Sequence, residues 1–185
     1  LSTMPYFEAM MFGSRFEALA VELLGETVVG KNLQYFNKLA GHSQPTPPHQ
    51  DGHYFMLQPC HAVTMWLALE DVGHEQGCVH YARGSHLGGL LEHRPTTVLG
   101  FSQHIPNFDP AKYEVIACPV QAGDLIVHDA RTIHWARANQ RAGRSREALG
   151  FIYYGRSAKE DLEAQHAYQR QLAERLTAEG KIESS

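Results

Sequence analysis

The sequence predicts a mainly β fold, a closed or two-sheet antiparallel architecture with a helix near each end. Three observations predict it: short runs rich in Val, Ile and aromatics recur through the middle of the chain, turn residues separate them, and helical periodicity is confined to the flanks. Taken in order, residues 5–24 place Phe12, Phe16, Leu19 and Leu23 at helical spacing, and Gly25 stops that helix. Residues 27–36 turn to strand composition, with Asn32, Gln34 and Phe36 on one face. Residues 41–48 read as a proline-rich loop, followed by a strand that carries His49. Further strands are expected over residues 62–69, 78–81 and 113–117; Gly123-Asp124 then turns into 125–128, and 132–136 and 148–154 complete the set. Residues 159–178 are polar with Leu162, Leu172 and Leu176, the pattern of a terminal surface helix.

With 185 residues and 43% hydrophobic content, the chain is long enough for one domain with its own core, and no internal repeat is visible. Sixteen basic and twenty acidic residues give a formal charge of −4 with no Lys or Arg block, which argues against nucleic acid or an anionic membrane and for a small-molecule partner. Cys60, Cys78 and Cys118 are odd in number and widely spaced, so neither a disulfide framework nor a zinc clip is expected. No apolar run reaches the length of a membrane span, and residues 1–11 lack a secretory pattern. A cytoplasmic location is the expectation.

The most informative feature is His49-Gln50-Asp51 with a distant His134, which can supply two imidazoles and one carboxylate to a metal. That is the ligand set of open-faced iron(II) oxygenases. On an extended strand, residues two apart share a side, so His49 and Asp51 are expected to grip one ion while His134 arrives from another strand. A bare His-x-Asp is common in a chain with twelve histidines, but Asp51-Gly52 is a turn signal and places the pair at a strand end. His53 is a rival on the same face unless the backbone bends at Gly52. His61, His74, His80, His93, His104 and His128 have no partner at ligand spacing and read as core or surface histidines.

With these residues in view, the sequence resembles the phytanoyl-CoA dioxygenase family of iron(II)- and 2-oxoglutarate-dependent oxygenases. The resemblance runs from about Asn32 to Tyr154 through HQDGHYF at His49, WLALEDVGHEQGCVHYARGSH from Trp66, GDLIVHDARTIHWARAN from Gly123 and REALGFIYY from Arg146. It implies a double-stranded β-helix, a cupin-like jelly roll, with His49, Asp51 and His134 as iron ligands. Related halogenases have a small residue in place of the carboxylate, so Asp51 implies a hydroxylase. The resemblance also requires a cation for the distal carboxylate of 2-oxoglutarate, and Arg137, Arg141, Arg144 and Arg146 are available. Period two puts Arg146 on one face with Ala148 and Gly150, whose small size leaves room for a ligand, and the family position also falls on Arg146, with Arg144 the alternative. Trp66 and Gln34 match positions near the cosubstrate, and Gly84-Ser85-His86 matches a structural turn in which Arg83 replaces a proline.

Two departures stand out. Relatives usually carry helices and a strand before the point where this sequence begins, so part of the family domain is expected to be missing. Ala136 occupies a place where some relatives have a hydroxyl that touches 2-oxoglutarate. The implied cofactors are Fe(II), 2-oxoglutarate and O2, with ascorbate supportive, and the products are succinate, carbon dioxide and a hydroxylated small molecule. Two alternatives remain at this stage: a cupin-like metal- and ligand-binding protein without turnover, and a zinc hydrolase. Residues 87–112 are expected to lid the pocket and carry no readable code for the substrate.

Overall fold

The computed structural model describes residues 4–182 except 42, 97, 99 and 100. In chain order the elements are α1 (Pro5–Met11), α2 (Arg15–Leu24), β1 (Val28–Lys38), β2 (Thr46–His49), α3 (Asp51–Phe55), β3 (Leu57–Gln58), β4 (Ala62–Ala68), β5 (Val79–Ala82), β6 (Arg94–Pro95), β7 (Gln103–His104), β8 (Val115–Cys118), β9 (Leu125–Asp129), β10 (His134–Ala136), β11 (Arg146–Gly155), β12 (Lys159–Glu160) and α4 (Leu162–Ala178). Two four-stranded antiparallel sheets form the body, in the orders β1-β11-β4-β9 and β2-β10-β5-β8. This is the double-stranded β-helix expected from the sequence, with helices before and after it.

Period two explains how the larger sheet serves two layers. Its outward residues, Val63, Met65 and Leu67 of β4 with Leu149, Phe151 and Tyr153 of β11, pack against Met11, Phe16 and Ala20 of the two N-terminal helices. The Phe16 and Phe151 rings stack at 4.5 Å, and the Tyr153 hydroxyl donates to the Met11 carbonyl at 2.8 Å. The alternate residues, Thr64 and Trp66 of β4 with Arg146, Gly150 and Ile152 of β11, line the interior.

The structure corrects the expected elements in four places. The single N-terminal helix is two: Gly13 adopts φ +64°, and the Ser14 hydroxyl caps α2 by accepting from the Phe16 and Glu17 N–H groups. The strand that carries His49 begins earlier than expected, at Thr46 within the proline-rich segment, and Pro47 and Pro48 are tolerated because β2 is an edge strand. The strand that carries His49 ends there, and Asp51 opens α3. Gly52 lies inside α3 and makes no bend; a Cβ there would lie 2.5 Å from the Cys60 sulfur, so the position demands a small residue for packing. Strand pairs β6–β7 and β3–β12 were not expected either. Cys60, Cys78 and Cys118 are all free, and no described helix is long and apolar enough to cross a membrane.

Candidate metal centre and anion pocket

His49 and His134 are cross-strand partners in the β2–β10 ladder, which is how residues remote in sequence meet. One residue of extended backbone, Gln50, then carries the chain into α3 and turns the Asp51 side chain toward both. The expected trio therefore comes together, but by a strand-to-helix junction and not by strand alternation. Ligand atoms of His49, Asp51 and His134 all lie within 4.8 Å of one another. Asp51 Oδ1 is 3.5 Å from His49 Nε2 and 3.6 Å from His134 Nε2.

The orientation of each donor is fixed from behind. His49 Nδ1 donates to the Pro47 carbonyl at 2.8 Å and His134 Nδ1 to the Thr132 carbonyl at 3.0 Å, which leaves both Nε2 lone pairs pointing at the centre. Asp51 Oδ2 accepts from the Thr64 hydroxyl at 2.6 Å and from His128 Nε2 at 3.1 Å, leaving Oδ1 toward the two imidazoles. His128 Nδ1 in turn accepts from the Tyr81 hydroxyl at 2.9 Å. Burial alone would raise the Asp51 carboxyl, but the imidazoles of His134, His128 and His49 outweigh it and hold it well below the carboxylate range. Burial, reinforced by His49 and His128, pushes His134 well below the usual imidazole value. At neutral pH the set is an anionic carboxylate facing a neutral imidazole, the protonation states a divalent metal requires. With two nitrogens and one oxygen converging on one side, these residues fit iron.

The junction is braced by Gln50, which is fully buried and donates to the Gly89 and Arg131 carbonyls while accepting from the Leu91 N–H. His53 is not a fourth ligand candidate: its ring stacks on His93 at 4.2 Å. Sequence reasoning missed His128, set aside for lack of ligand spacing; its signal was alternation, since Ile126 and His128 share one face of β9. Ser85 of the Gly84-Ser85-His86 turn accepts from the Ile133 N–H at 2.9 Å and so supports the strand bearing His134.

A cavity of about 240 Å³ opens beside the trio, and its walls include Gln34, Trp66, Phe101 and Arg146. Arg146 is buried, whereas Arg137, Arg141 and Arg144 are exposed, with Arg141 and Arg144 facing Glu75 and Glu70. One Arg146 nitrogen donates to the Gly77 carbonyl at 2.9 Å, Cζ lies 5.2 Å from the Trp66 ring centroid, and Nε has no hydrogen-bond partner among the described residues. Burial lowers its pKa to about 10, still far above neutrality. A buried, charged fork with an unused donor beside a cavity has the chemistry that could hold a carboxylate. Trp66 both packs in the core and borders the cavity. Gln34 sits across from Gly150 in the β1–β11 ladder, at the cavity's edge.

Residues 3–148 match the family model for phytanoyl-CoA dioxygenase (PhyH). Phytanoyl-CoA dioxygenase from Arabidopsis thaliana is 28% identical over 137 residues, covering 73% of this chain and 48% of that protein. The chain thus spans about half the length of the curated relatives it matches. Among solved structures, the epimerase SnoN of nogalamycin biosynthesis, in complex with Fe3+, alpha ketoglutarate and nogalamycin RO, is similar at TM-score 0.69 and 28% identity, covering 86% of this chain and 62% of that one. The non-heme alpha ketoglutarate dependent carbocyclase SnoK matches at TM-score 0.72 and 28% identity, with the same coverage of 86% and 62%.

Proposed function

The chain belongs to the phytanoyl-CoA dioxygenase family, and from that premise we propose an iron(II)- and 2-oxoglutarate-dependent dioxygenase that hydroxylates an unactivated C–H bond of a small molecule. The observation that carries the reading is the convergence of His49 Nε2, Asp51 Oδ1 and His134 Nε2, each oriented by a hydrogen bond on its far atom. We assign these three as the metal ligands, and the described β sandwich as a single oxygenase domain. Bound iron, with 2-oxoglutarate and O2, would supply the oxidising power and release succinate and carbon dioxide.

The rest is the work of the protein's own groups. Arg146 takes the distal carboxylate of 2-oxoglutarate, and the Trp66 face beneath its guanidinium keeps the fork in place. Gln34 bounds the cosubstrate side. Phe101, edge-on to His49 at 5.2 Å, screens the centre from water. The solved relatives include an epimerase and a carbocyclase, so the ligand set alone does not choose the outcome. A complete carboxylate at Asp51 favours hydroxylation over halide transfer, since it leaves no ligand position for chloride.

The test is anaerobic titration of the iron(II)-loaded protein with 2-oxoglutarate, watched for the metal-to-ligand charge-transfer band. A band in the wild type that weakens in Arg146→Ala is expected, and Asp51→Ala should abolish succinate formation. No band despite bound iron would point to a binding protein without turnover. Activity supported by zinc and not by iron with ascorbate would replace the reading with a hydrolase.

A further inference from the structure

We propose that Lys38 is a second cation for the cosubstrate, seated beside Arg146 so that the distal carboxylate of 2-oxoglutarate binds between the two. Lys38 and Arg146 are direct partners in the β1–β11 register, so both side chains project from the same face. Both are buried, at 8% and 5% relative exposure. Among the described residues no carboxylate lies within 4.0 Å of either. Lys38 Nζ donates to the Gln44 carbonyl, one of the three donors an ammonium carries, and Arg146 Nε has no hydrogen-bond partner among the described residues. A second cavity of about 350 Å³ contains Lys38 and shares Phe36, Thr46, Phe101 and Arg146 with the cavity beside the metal centre.

Like charges placed directly opposite in a sheet oppose folding, and buried cations without counter-charge do so strongly. A bound carboxylate would supply the counter-charge, and the cavity that both cations line provides space for it. Thr46, across the β2–β10 ladder from Ala136, lines both cavities and offers a hydroxyl on the same seat. Burial, together with the Arg146 charge, lowers Lys38 to about 8. Arg146 is the charged group that faces it from β11, while Ser43, Gln44 and Thr46 contribute only groups that do not titrate. Carboxylate binding should therefore weaken as pH rises through about 8 and Lys38 sheds its proton.

The inference rests on Arg146 as the cosubstrate's cation, and the experiment separates the two ideas. Iron(II)-loaded wild type, Lys38→Met and Lys38→Arg are titrated anaerobically with 2-oxoglutarate and with 2-oxopentanoate, which keeps the chelating head and chain length but lacks the distal carboxylate. Lys38→Met should weaken 2-oxoglutarate about tenfold or more while leaving 2-oxopentanoate within about twofold. Lys38→Arg should keep the selectivity and lose the decline above pH 8. The melting temperature of unliganded Lys38→Met should equal or exceed that of the wild type, because a buried charge has been removed. Equal weakening of both ligands, or a lower melting temperature with unchanged selectivity, would make Lys38 a strut for residues 43–46 and overturn the proposal. Unchanged 2-oxoglutarate affinity would also overturn it. A wild type without any band would defeat the iron oxygenase reading instead, and the Lys38 seat would then be judged by thermal shift with the same two acids on metal-free protein.

Discussion

At the scale of single residues, the proposed metal centre depends on groups that do not touch the metal position. Thr64 and His128 both donate to Asp51 Oδ2, and this is what turns Oδ1 inward. Thr64→Val removes one donor at nearly constant volume, so Asp51 should lose its fixed rotamer and iron(II) affinity should fall by about tenfold, within the range for lost outer partners of metal ligands. Competition with a chelator would measure it. His128→Phe, which removes the second donor and strands the Tyr81 hydroxyl, should cost at least as much. Affinity within twofold of wild type in both variants would mean that Asp51 holds its position unaided. The three candidate donors and Arg146, with Arg144 beside it, could be picked out in the sequence from residue type, spacing and family resemblance. The sequence could not show Thr64, His128 or Lys38, whose roles arise from strands pairing across the barrel. Lys38 nonetheless continues the alternation of Asn32, Gln34 and Phe36, but it lies two residues beyond the expected end of that strand at Phe36.

At the scale of elements, three junctions decide whether those residues meet. The step from β2 to α3 was illegible because two prolines hide an edge strand and Asp-Gly imitates a turn. The β1–β11 ladder was legible in its composition, yet its register, which sets Lys38 against Arg146, is a long-range fact. The third junction is the loop before β5, where Gly77 at φ +74° offers its carbonyl to Arg146. A Cβ at Gly77 would lie 2.2 Å from the Arg137 carbonyl oxygen, a backbone atom that cannot swing aside. Gly77→Ala should therefore destabilise the fold by about 2–4 kcal/mol through strain and steric conflict, and loosen Arg146 as well. Chemical denaturation measures the first effect, and the 2-oxoglutarate affinity of the folded fraction measures the second. Gly150 gives a milder contrast: its added Cβ would meet the Phe36 ring at 2.5 Å, and the ring can rotate into the cavity. Gly150→Ala should thus weaken cosubstrate binding more than it weakens the fold.

At the scale of the whole molecule, the same burial that prepares the site makes the protein sensitive to acid. Burial pushes His93 down to about 4, His134 well below the ordinary imidazole value, and His53 and His80 down as well. His93 is held neutral by its contacts, since Nε2 accepts from the Gln50 N–H at 3.0 Å and Nδ1 donates to the Leu91 carbonyl at 2.9 Å. In the unfolded chain each imidazole takes a proton near pH 6.5, the usual imidazole value. The unfolded state therefore binds more protons than the native one as pH falls below 6.5, and the stability present above that value drains away toward 4. Asp51 and Asp129, both depressed below 3.8, add a further loss at lower pH. Lys38 acts at the other end: its charged form is disfavoured by folding, so stability rises between about 8 and 10.5. The unliganded protein should lose roughly 5 °C or more of melting temperature between pH 7 and pH 5, and His93→Gln, which can keep an acceptor and a donor without titrating, should flatten part of that decline. Iron(II) should raise the melting temperature at pH 7 and lose that effect toward pH 5, because protons compete with metal for the same imidazole nitrogens. A melting temperature independent of pH from 7 to 5 would mean that the folded chain takes up protons as readily as the unfolded one, which the closed environments of His93 and His134 do not permit.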